Sequence, residues 1–313
     1  MTTHDLNASP ETVHWGYFAP DLAPAVTVKP GERVRLTTVS GDEGITPADG
    51  FEVLHAHREI LAKVTKRMIP GHTLTGPVAI EGAEPGDTLE VRIIDVSFPV
   101  DWGWNMIRPL SGALPHDFDE MRKIVIPIDR DRNVGKLPWG LDLPLKPFFG
   151  VMGVAPPPNW GVCSSIQPRA FGGNLDNKEL HAGSTLFLPV FVPGALFSAG
   201  DGHAVQGDGE VCVTAIECCL SGTFEFHLHK ATGQSWPRAE TTGDYITMGI
   251  DEDLDDAAKQ ALREMIVLIT SRTNLSREDA YTLCSLAADM RITQLVNGNK
   301  GVHCVLKKEL LQA

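Results

Sequence analysis

One glycine-dense stretch, residues 172–217, constrains this chain more than any other. It reads GGNLDNKELHAGSTLFLPVFVPGALFSAGDGHAVQGDGEVCVTAIE, with acidic and amide side chains between apolar, strand-like runs. Glycine adopts positive φ angles and lets the backbone approach another group closely. A site made of loops between strands needs both properties. We therefore take this stretch as the centre of the fold and look there first for functional side chains.

Alternating apolar and polar residues elsewhere in the chain predict further strands. Strand-like runs flank Lys29–Glu32 (Lys-Pro-Gly-Glu), and similar runs flank Glu84–Asp87 (Glu-Pro-Gly-Asp). Each four-residue segment has the composition of a tight turn. The pattern therefore predicts that both pairs of strands form hairpins.

The pattern changes near the C-terminus. From Asp251 onward, apolar residues recur with helical spacing behind a cluster of acids, which favour the positive end of a helix dipole. Ser276 and Asp279 resemble a capping box that opens a second helix. A strand, an Asn297-Gly298 turn and another strand follow. The predicted fold class is β-rich α+β, with mostly antiparallel sheets or a barrel-like sandwich and a helical pair near the C-terminus.

The length allows one β-rich domain over residues 1–313. Two β-rich subdomains, 1–98 and 150–313, are an alternative, because residues 99–149 look irregular apart from the strand MRKIVIPID. Trp102 and Trp104 in that region suit a pocket mouth, an oligomer interface or ordinary packing.

Charge and cysteine usage limit the partners and the compartment. A formal net charge of −13 opposes binding to nucleic acid or to an anionic membrane, so we expect neither partner. The six cysteines show no C-x-x-C spacing, which favours reduced, buried side chains. With no signal-peptide pattern and no apolar run long enough to span a bilayer, the sequence predicts a cytoplasmic protein.

The glycine-dense stretch contains a candidate metal site. Asp201 and His203 are two residues apart and project to one side of an extended segment, and Asp176 lies in the preceding loop. Carboxylate and imidazole ligands suit a divalent cation, which can activate water for hydrolysis. The competing interpretation of each acid is turn formation, and Asp208, within Gly-Asp-Gly, is assigned to a turn.

Three further residues are candidates for proton transfer or ligand binding. Glu210 and Glu217 are predicted to lie seven residues apart on opposite faces of one strand, and either can act as a general acid or base. His72 lies in a Gly-His-Thr loop ahead of a strand, where its side chain suits a cavity or a structural role equally.

Several segments together resemble the acetamidase/formamidase family. They are HTLTGPVAIEGAEPGDTLEV, GGNLDNKEL, LFLPVFVPGALFSAGDGHAVQGDGE, TAIE and KGVHCVL. The resemblance spans most of the chain, is weakest over residues 99–150 and is to the family's shorter form. It implies a β-rich fold, a homo-oligomer (a dimer or higher) and hydrolysis of a small formamide-like or acetamide-like carboxamide to carboxylate and ammonia.

The resemblance also implies a divalent metal ion, zinc or calcium. On the matched positions, Asp176, Asp201 and His203 would be its ligands. Glu210 would transfer protons, and His72 or a loop N–H would stabilise the oxyanion. Two alternatives stay open at this point: hydrolysis of a cyclic amide (a γ-lactam) on the same scaffold, and a non-catalytic protein that binds a metal or a small ligand.

Overall fold

The computed structural model describes residues 2–42, 44–45, 47 and 50–311. The first strands in chain order are β1 Thr3–Leu6, β2 Val13–Trp15, β3 Tyr17–Phe18, β4 Val26–Val28, β5 Arg33–Thr37, β6 Thr73–Ile80, β7 Thr88–Ser97, β8 Trp102–Ile107, β9 Arg122–Asp129, β10 Val134–Lys136 and β11 Asp142–Pro144. The later strands are β12 Phe148–Gly153, β13 Cys163–Ser164, β14 Gly172–Asn174, β15 Thr185–Pro189, β16 Phe197–His203, β17 Glu217–Cys218, β18 Ser221–His229, β19 Arg238–Glu240, β20 Asp244–Asp251, β21 Asp289–Gln294 and β22 Lys300–Lys307. The helices are α1 His55–Lys63, α2 Leu254–Arg272 and α3 Arg277–Ala287, with short 3-10 turns at Pro158–Trp160 and Lys308–Leu311.

The described strands form two large sheets and one short pair. Sheet I has the order β1-β5-β18-β7-β15-β19-β20-β22-β21. Sheet II follows β11-β10-β9-β8-β17-β16-β12-β14, and β6 joins it at β16 and carries β2 and β4. The short pair is β3 with β13. Pairing is antiparallel throughout the described sheets except between β1 and β5 and between β4 and β6.

Phenylalanine rings hold the two sheets face to face. Phe149 of β12 and Phe197 of β16 belong to sheet II, and both rings contact Phe224 of β18 in sheet I, at centroid distances of 5.3 and 5.6 Å. All three side chains are fully buried. Because each aromatic ring removes a large apolar area from water, these contacts form the centre of a sandwich core.

The two predicted hairpins are wrong, because each turn passes the chain from one sheet to the other. The turn Lys29–Glu32 does form, since the amide of Glu32 donates to the carbonyl of Lys29. However, β4 before it lies in sheet II and β5 after it lies in sheet I. Glu84–Asp87 separates β6 of sheet II from β7 of sheet I in the same way. Turn chemistry fixes the reversal, whereas burial of the apolar face selects each strand's partner.

Residues 99–149 are more regular than predicted. They contain β8, β9, β10 and β11 and the start of β12, and β9 corresponds to the predicted MRKIVIPID strand. Because β8 pairs with β9 on one side and β17 on the other, this segment is part of sheet II. The other strands could not be predicted from the sequence, because glycine, proline and tryptophan interrupt the side-chain alternation by which strands are recognised.

The C-terminal helices and the hairpin after them are confirmed. The Asp253 side chain caps α2 by accepting main-chain N–H groups of its first turn. Ser276 caps α3, and its hydroxyl accepts the N–H of Asp279 at 3.0 Å. Strands β21 and β22 pair antiparallel on either side of Asn297-Gly298.

The predicted fold class is confirmed: mostly antiparallel sheets form a sandwich, with two of the described helices near the C-terminus and no closed barrel among the described strands. Strands from 1–98 and from 150–313 mix within the sheets, as where β7 lies between β15 and β18. The organisation of 1–313 as one domain stays a prediction. Of the helices in the described part of the chain, none has both the length and the apolarity to cross a membrane.

Helix α2 lies so close to β20 that Gly249 has no room for a side chain. A Cβ atom there would be 1.8 Å from the carbonyl oxygen of Ala257 and 2.6 Å from the amide nitrogen of Ala261. We expect Gly249→Ala to push the helix from the sheet and lower the free energy of unfolding by about 3 kcal/mol, measured by urea denaturation. At Gly243, the matched control, a Cβ meets nothing within 4 Å. Equal stability of the two alanine variants would contradict this packing.

Candidate active site

Acid and imidazole side chains from the glycine-dense stretch converge in sheet II. Asp201 and His203 are on β16, and Glu217 on β17 is the register partner of His203. Asp176 follows β14, and Glu210 lies in the loop between β16 and β17. The structure therefore brings together the three predicted ligands and both candidate proton-transfer residues.

Three of the acids have a left-handed backbone, with φ of 46° at Asp176, 55° at Asp201 and 45° at Glu210. This conformation costs about 1–3 kcal/mol at a residue other than glycine, and it concentrates at functional sites. Its presence at three neighbouring acids indicates that the fold holds their carboxylates in position at some cost in stability.

The buried imidazole of His203 is the centre of the cluster. Its Nε2 atom is 3.3 Å from Oδ2 of Asp201 and 3.3 Å from Oε1 of Glu217. Oε1 of Glu210 is 3.8 Å from the same nitrogen, and Oδ1 of Asp176 is 3.9 Å from Nδ1. Four carboxylates thus surround one imidazole that is out of contact with solvent.

Gln206 fixes the hydrogen on the His203 ring. Nδ1 of His203 is 2.9 Å from Oε1 of Gln206, and Nε2 of Gln206 donates to the main-chain carbonyl of Asp176 at 2.8 Å. The amide oxygen can only accept, so Nδ1 carries the hydrogen and donates it. In the neutral ring, Nε2 then presents its lone pair to the carboxylates. A cation, either a proton or a metal ion, is required at that nitrogen.

Buried polar atoms without a hydrogen-bond partner among the described residues include Oδ1 of Asp176, Nε2 of His203 and Oδ1 of Asn174 at the cluster, and Nδ2 of the neighbouring Asn177. The other carboxylate oxygen of Asp176 accepts from Nδ2 of Asn297 at 2.6 Å. An unpaired buried polar atom costs about 1–3 kcal/mol. Those at the cluster fit a site that a bound group would complete.

Burial raises the pKa of the three carboxyl groups Asp176, Glu210 and Glu217, the last to about 7. At Glu210, repulsion from the Asp176 carboxylate raises the pKa further. These groups therefore hold protons more readily than ordinary carboxylates, and a metal ion would have to displace those protons.

The pKa of Asp201 shifts the other way. Burial acts to raise it, but attraction to His72 and His203 outweighs burial and holds the pKa below its usual range. Burial acts to lower the pKa of His203, yet the Glu217 and Asp201 carboxylates raise it well above its usual value. The cluster thus favours a positive charge at His203 beside an ionised Asp201.

His72 completes the cluster at its more exposed side. Its Nε2 is 3.7 Å from Oδ2 of Asp201. The hydroxyl of Ser165 accepts the main-chain N–H of His72 at 3.0 Å and is 3.1 Å from Nδ1. When the hydroxyl donates its own hydrogen to Nδ1, the ring hydrogen lies on Nε2, which faces Asp201. His72 can therefore donate a hydrogen bond to a bound ligand.

A cavity of about 260 Å³ opens onto the cluster. Its polar wall contains the imidazole of His72 and the carboxylates of Asp176, Asp201, Glu210 and Glu217. The His203 ring lies fully buried behind them. The volume is close to the lower end of ligand pockets, about 300 Å³. This geometry suits a small molecule that contacts the acids directly.

Two trios of ligand atoms, which share His203, lie close enough to hold a metal ion. One contains Asp176, His203 and Glu210, and the other contains Asp201, His203 and Glu217; within each trio the atoms lie within 4.8 Å of one another. Carboxylates with one imidazole suit several divalent cations. Because the unpartnered Asp176 and His203 atoms belong to these trios, the cluster fits such a cation. The predicted ligands are divided between the trios, each of which includes a glutamate.

The prediction that Glu210 and Glu217 lie on opposite faces of one strand is wrong. Glu210 lies outside the strands, and its carbonyl accepts the N–H of Val213, whose φ is 72°. This turn directs both glutamates toward His203. Asp208 is in a turn as predicted, and its carboxylate pairs with Lys178 at 2.8 Å.

The two tryptophans have different environments. Trp104 lines the cavity, and its indole N–H donates to the hydroxyl of Ser40 at 3.3 Å. Trp102 is 2% exposed and donates to the carbonyl of Glu52 at 2.8 Å within an apolar cluster. Pocket lining therefore applies to Trp104 and ordinary packing to Trp102.

Sequence reasoning missed the residues that orient the cluster, which are Gly150, Ser165, Gln206 and Asn297. Asn297 had a signal, since Asn-Gly predicts a turn, but the contact of its side chain with Asp176 depends on a segment 121 residues away. Gln206 lies within the quoted segment LFLPVFVPGALFSAGDGHAVQGDGE, but nothing local indicates its contact with His203, and Gly150 and Ser165 belong to no recognisable motif.

Comparisons with known proteins agree with one another. The family model "Acetamidase/Formamidase family" matches residues 2–160 and 161–307. The acetamidase of Mycolicibacterium smegmatis is 27% identical over 295 residues, which cover 75% of this chain and 70% of that protein. A crystal structure of a predicted acetamidase/formamidase from Thermoanaerobacter tengcongensis has a TM-score of 0.86 and 28% identity, covering 99% of this chain and 98% of that one. A γ-lactamase from Delftia acidovorans has a TM-score of 0.64 and 25% identity, covering 97% and 90%.

Gly150 on β12 keeps the space within the cluster open. A Cβ atom there would lie 2.4 Å from Oδ1 of Asp176 and 2.8 Å from Oδ2 of Asp201. We expect Gly150→Ala to displace these carboxylates and weaken divalent-cation binding at least about tenfold, measured by elemental analysis and by calorimetric titration. Gly207→Ala, at a site with no atom within 4 Å of the added Cβ, is the matched control. Unchanged binding in folded Gly150→Ala would show that the cation binds elsewhere.

Proposed function

The chain belongs to the acetamidase/formamidase family, and we propose that its acid and imidazole cluster is the active site at which a small carboxamide is cleaved to carboxylate and ammonia. The protein is a hydrolase that acts on carbon–nitrogen bonds other than peptide bonds. The observation that carries the assignment is the cavity itself, because its polar wall is made by four carboxylates around one buried imidazole.

Amides resist hydrolysis for two reasons. Resonance lowers the electrophilicity of the carbonyl carbon, and the amine is a poor leaving group unless it is protonated. An active site must therefore activate water, stabilise negative charge on the carbonyl oxygen and deliver a proton to nitrogen. The residues that face the cavity offer a group for each task.

We assign Asp176, Asp201 and His203 as ligands of a divalent cation, zinc or calcium. A cation bound there supplies Lewis acidity, which lowers the pKa of water and polarises a carbonyl. Gln206 supports this role, because its bond to Nδ1 leaves Nε2 of His203 as the ring nitrogen at which a metal ion can replace the proton. The two unpartnered atoms of Asp176 and His203 support it as well.

Proton transfer is assigned to Glu210. Its carboxyl group lines the cavity, and burial raises its pKa above that of an ordinary carboxyl group, which makes it a better proton acceptor than an exposed glutamate. It takes a proton from water as the new carbon–oxygen bond forms, and it passes a proton to nitrogen as the carbon–nitrogen bond breaks. Glu217 is the alternative, but the amide of Ala215 already holds its Oε1 at 2.9 Å.

His72 is assigned to the carbonyl oxygen of the substrate. Its Nε2 faces the cavity beside Asp201, and Ser165 restrains the ring from the other side. A hydrogen bond from Nε2 strengthens as negative charge develops on the oxygen. A main-chain N–H of a neighbouring loop is the alternative donor.

Three substitutions, with a fourth as the control, separate metal binding from proton transfer. We expect Asp176→Asn and His203→Ala to lower the metal content of the purified protein, because each removes a ligand. Glu210→Gln should keep its metal and lose about 10²- to 10⁴-fold in kcat, because only proton transfer is removed. Asp208→Asn, which changes a surface-paired acid of the same stretch, is the control. Metal content is measured by elemental analysis and turnover by ammonia release from formamide and acetamide.

The outcomes are distinct. Loss of metal in Glu210→Gln would make this residue a ligand. Full turnover in Glu210→Gln together with loss in Glu217→Gln would transfer the proton-transfer role to Glu217. Normal metal content and turnover in all cluster variants would place the active site elsewhere.

A γ-lactam is the second candidate substrate, because a protein named γ-lactamase shares the fold over 97% of this chain. Ring-opening of 2-pyrrolidone, followed by amine detection, tests it. A metal-loaded protein that turns over neither linear amides nor the lactam would leave the non-catalytic binding protein as the remaining interpretation.

A homo-oligomer, a dimer or higher, remains our proposal. Exposed apolar side chains of Leu110, Leu114 and Val211, which are 75%, 56% and 59% exposed, support it, since clustered exposed apolar residues often mark interfaces. Light scattering at micromolar concentration tests it, and a monomer mass would reject it. The cytoplasmic location stays a prediction, consistent with six unpaired cysteines.

A further inference from the structure

The cavity continues beyond the acids into a region with apolar walls. We propose that the preferred substrates are amides whose acyl group carries a large apolar substituent, such as an aryl or branched alkyl group, rather than formamide or acetamide. This inference rests on the proposed amidase function and adds the substrate class to it.

The first support is size. The cavity measures about 260 Å³, whereas one water occupies about 30 Å³ in the liquid. Formamide has three non-hydrogen atoms, so it fills only on the order of 90 Å³, about three waters' worth. Most of the cavity would stay filled with water around so small a ligand. The apolar part of the wall would then contribute nothing to its binding.

The second support is the chemistry of the wall. Trp15 and Trp104 both line the cavity, and both indole N–H groups already have partners: Trp15 donates to the carbonyl of Gly71 at 3.1 Å, and Trp104 donates to the Ser40 hydroxyl at 3.3 Å. The guanidinium of Arg67 lies over the Trp15 ring, 4.2 Å from its centroid, so Trp104 rather than Trp15 is the ring that offers an apolar face to a ligand. Aromatic faces of this kind bind apolar and aryl groups.

The third support is the position of this wall relative to the acids. Trp104 of β8 is the register partner of Glu217 of β17, so the apolar wall begins beside the catalytic carboxylates. Met106 lies two residues further along β8, on the same face, and also lines the cavity. Main-chain bonds to Thr214 hold it there. An amide group at the acids would thus direct its acyl substituent toward Trp104 and Met106.

Amides that carry a carboxylate are the main rival class, because Arg67 and Arg108 line the cavity and favour an anion. Asp42 and the acid cluster line the same cavity and oppose one. The charges of the wall therefore do not select the substrate by themselves, and the comparison of substrates includes an amide that carries a carboxylate.

The test compares kcat/KM for ammonia release from formamide, acetamide, butyramide, phenylacetamide and succinamic acid with the wild-type, metal-loaded protein. Each buried methylene contributes about a fourfold gain, which corresponds to ~0.8 kcal/mol. We expect kcat/KM to rise along the apolar series and to be at least about 20-fold higher for phenylacetamide than for acetamide. A higher value for acetamide or for succinamic acid would overturn this inference and leave the amidase function intact. Absence of ammonia from all five would overturn both.

A substitution in the cavity wall tests where the acyl substituent binds. We expect Met106→Trp to fill the apolar region and reduce the ratio of kcat/KM for phenylacetamide to that for acetamide at least about tenfold. Met121→Trp introduces the same side chain at a residue that is 67% exposed and does not line the cavity; its ratio should match that of the wild type. Equal ratios in both variants, with native circular dichroism, would overturn the proposed position of the substituent. The wild-type series decides the substrate class even when Met106→Trp does not fold.

Discussion

The burial of four carboxylates around one imidazole is the constraint on which the rest of the site depends. Transferring an ionised carboxylate from water into a protein interior costs several kcal/mol unless a positive charge or hydrogen-bond donors compensate. Here the surrounding residues supply only part of that compensation. Asn297 donates to Asp176, and the amide of Ala215 donates to Glu217, but the Nε2 atom of His203 still faces carboxylate oxygens. The two groups of ligand atoms around His203 therefore fit a cation, which would supply the missing compensation.

The sandwich provides the rigidity that such a cluster needs. Strand β16, which carries Asp201 and His203, lies inside sheet II with β12 on one side and β6 and β17 on the other. Phe197 at its start packs against sheet I. Gly202 lies between the two functional residues, and a Cβ there would be 2.5 Å from the carbonyl oxygen of Cys218, so only glycine allows this strand spacing. Strong electrostatic effects require groups that are held in position before substrate binds, and a central strand does so better than a loop.

The cavity has walls of two kinds. In the proposed function, the acids and His72 form the wall at which the reaction takes place. Trp104 and Met106 of β8 line another part of the same cavity. Both lie within residues 99–150, where the sequence is expected to resemble the family least. Together, the two proposals assign the chemistry and the choice of substrate to different parts of the chain.

The sequence by itself determined the β-rich class, the two C-terminal helices, and the stretch in which the acids lie, because alternation, capping residues and glycine density are local signals. Asp201 and His203 could be paired from their spacing alone. Tertiary structure decided the rest. The turns at Lys29–Glu32 and Glu84–Asp87 are legible in the sequence, but which sheet receives each strand depends on burial across the whole sandwich. Glu210 reaches His203 only because of a turn with positive φ at Glu210 and Val213. Gly150 leaves space for the carboxylates of Asp176 and Asp201, which are 26 and 51 positions away in the sequence. No local pattern encodes such a space, because several distant segments form it together.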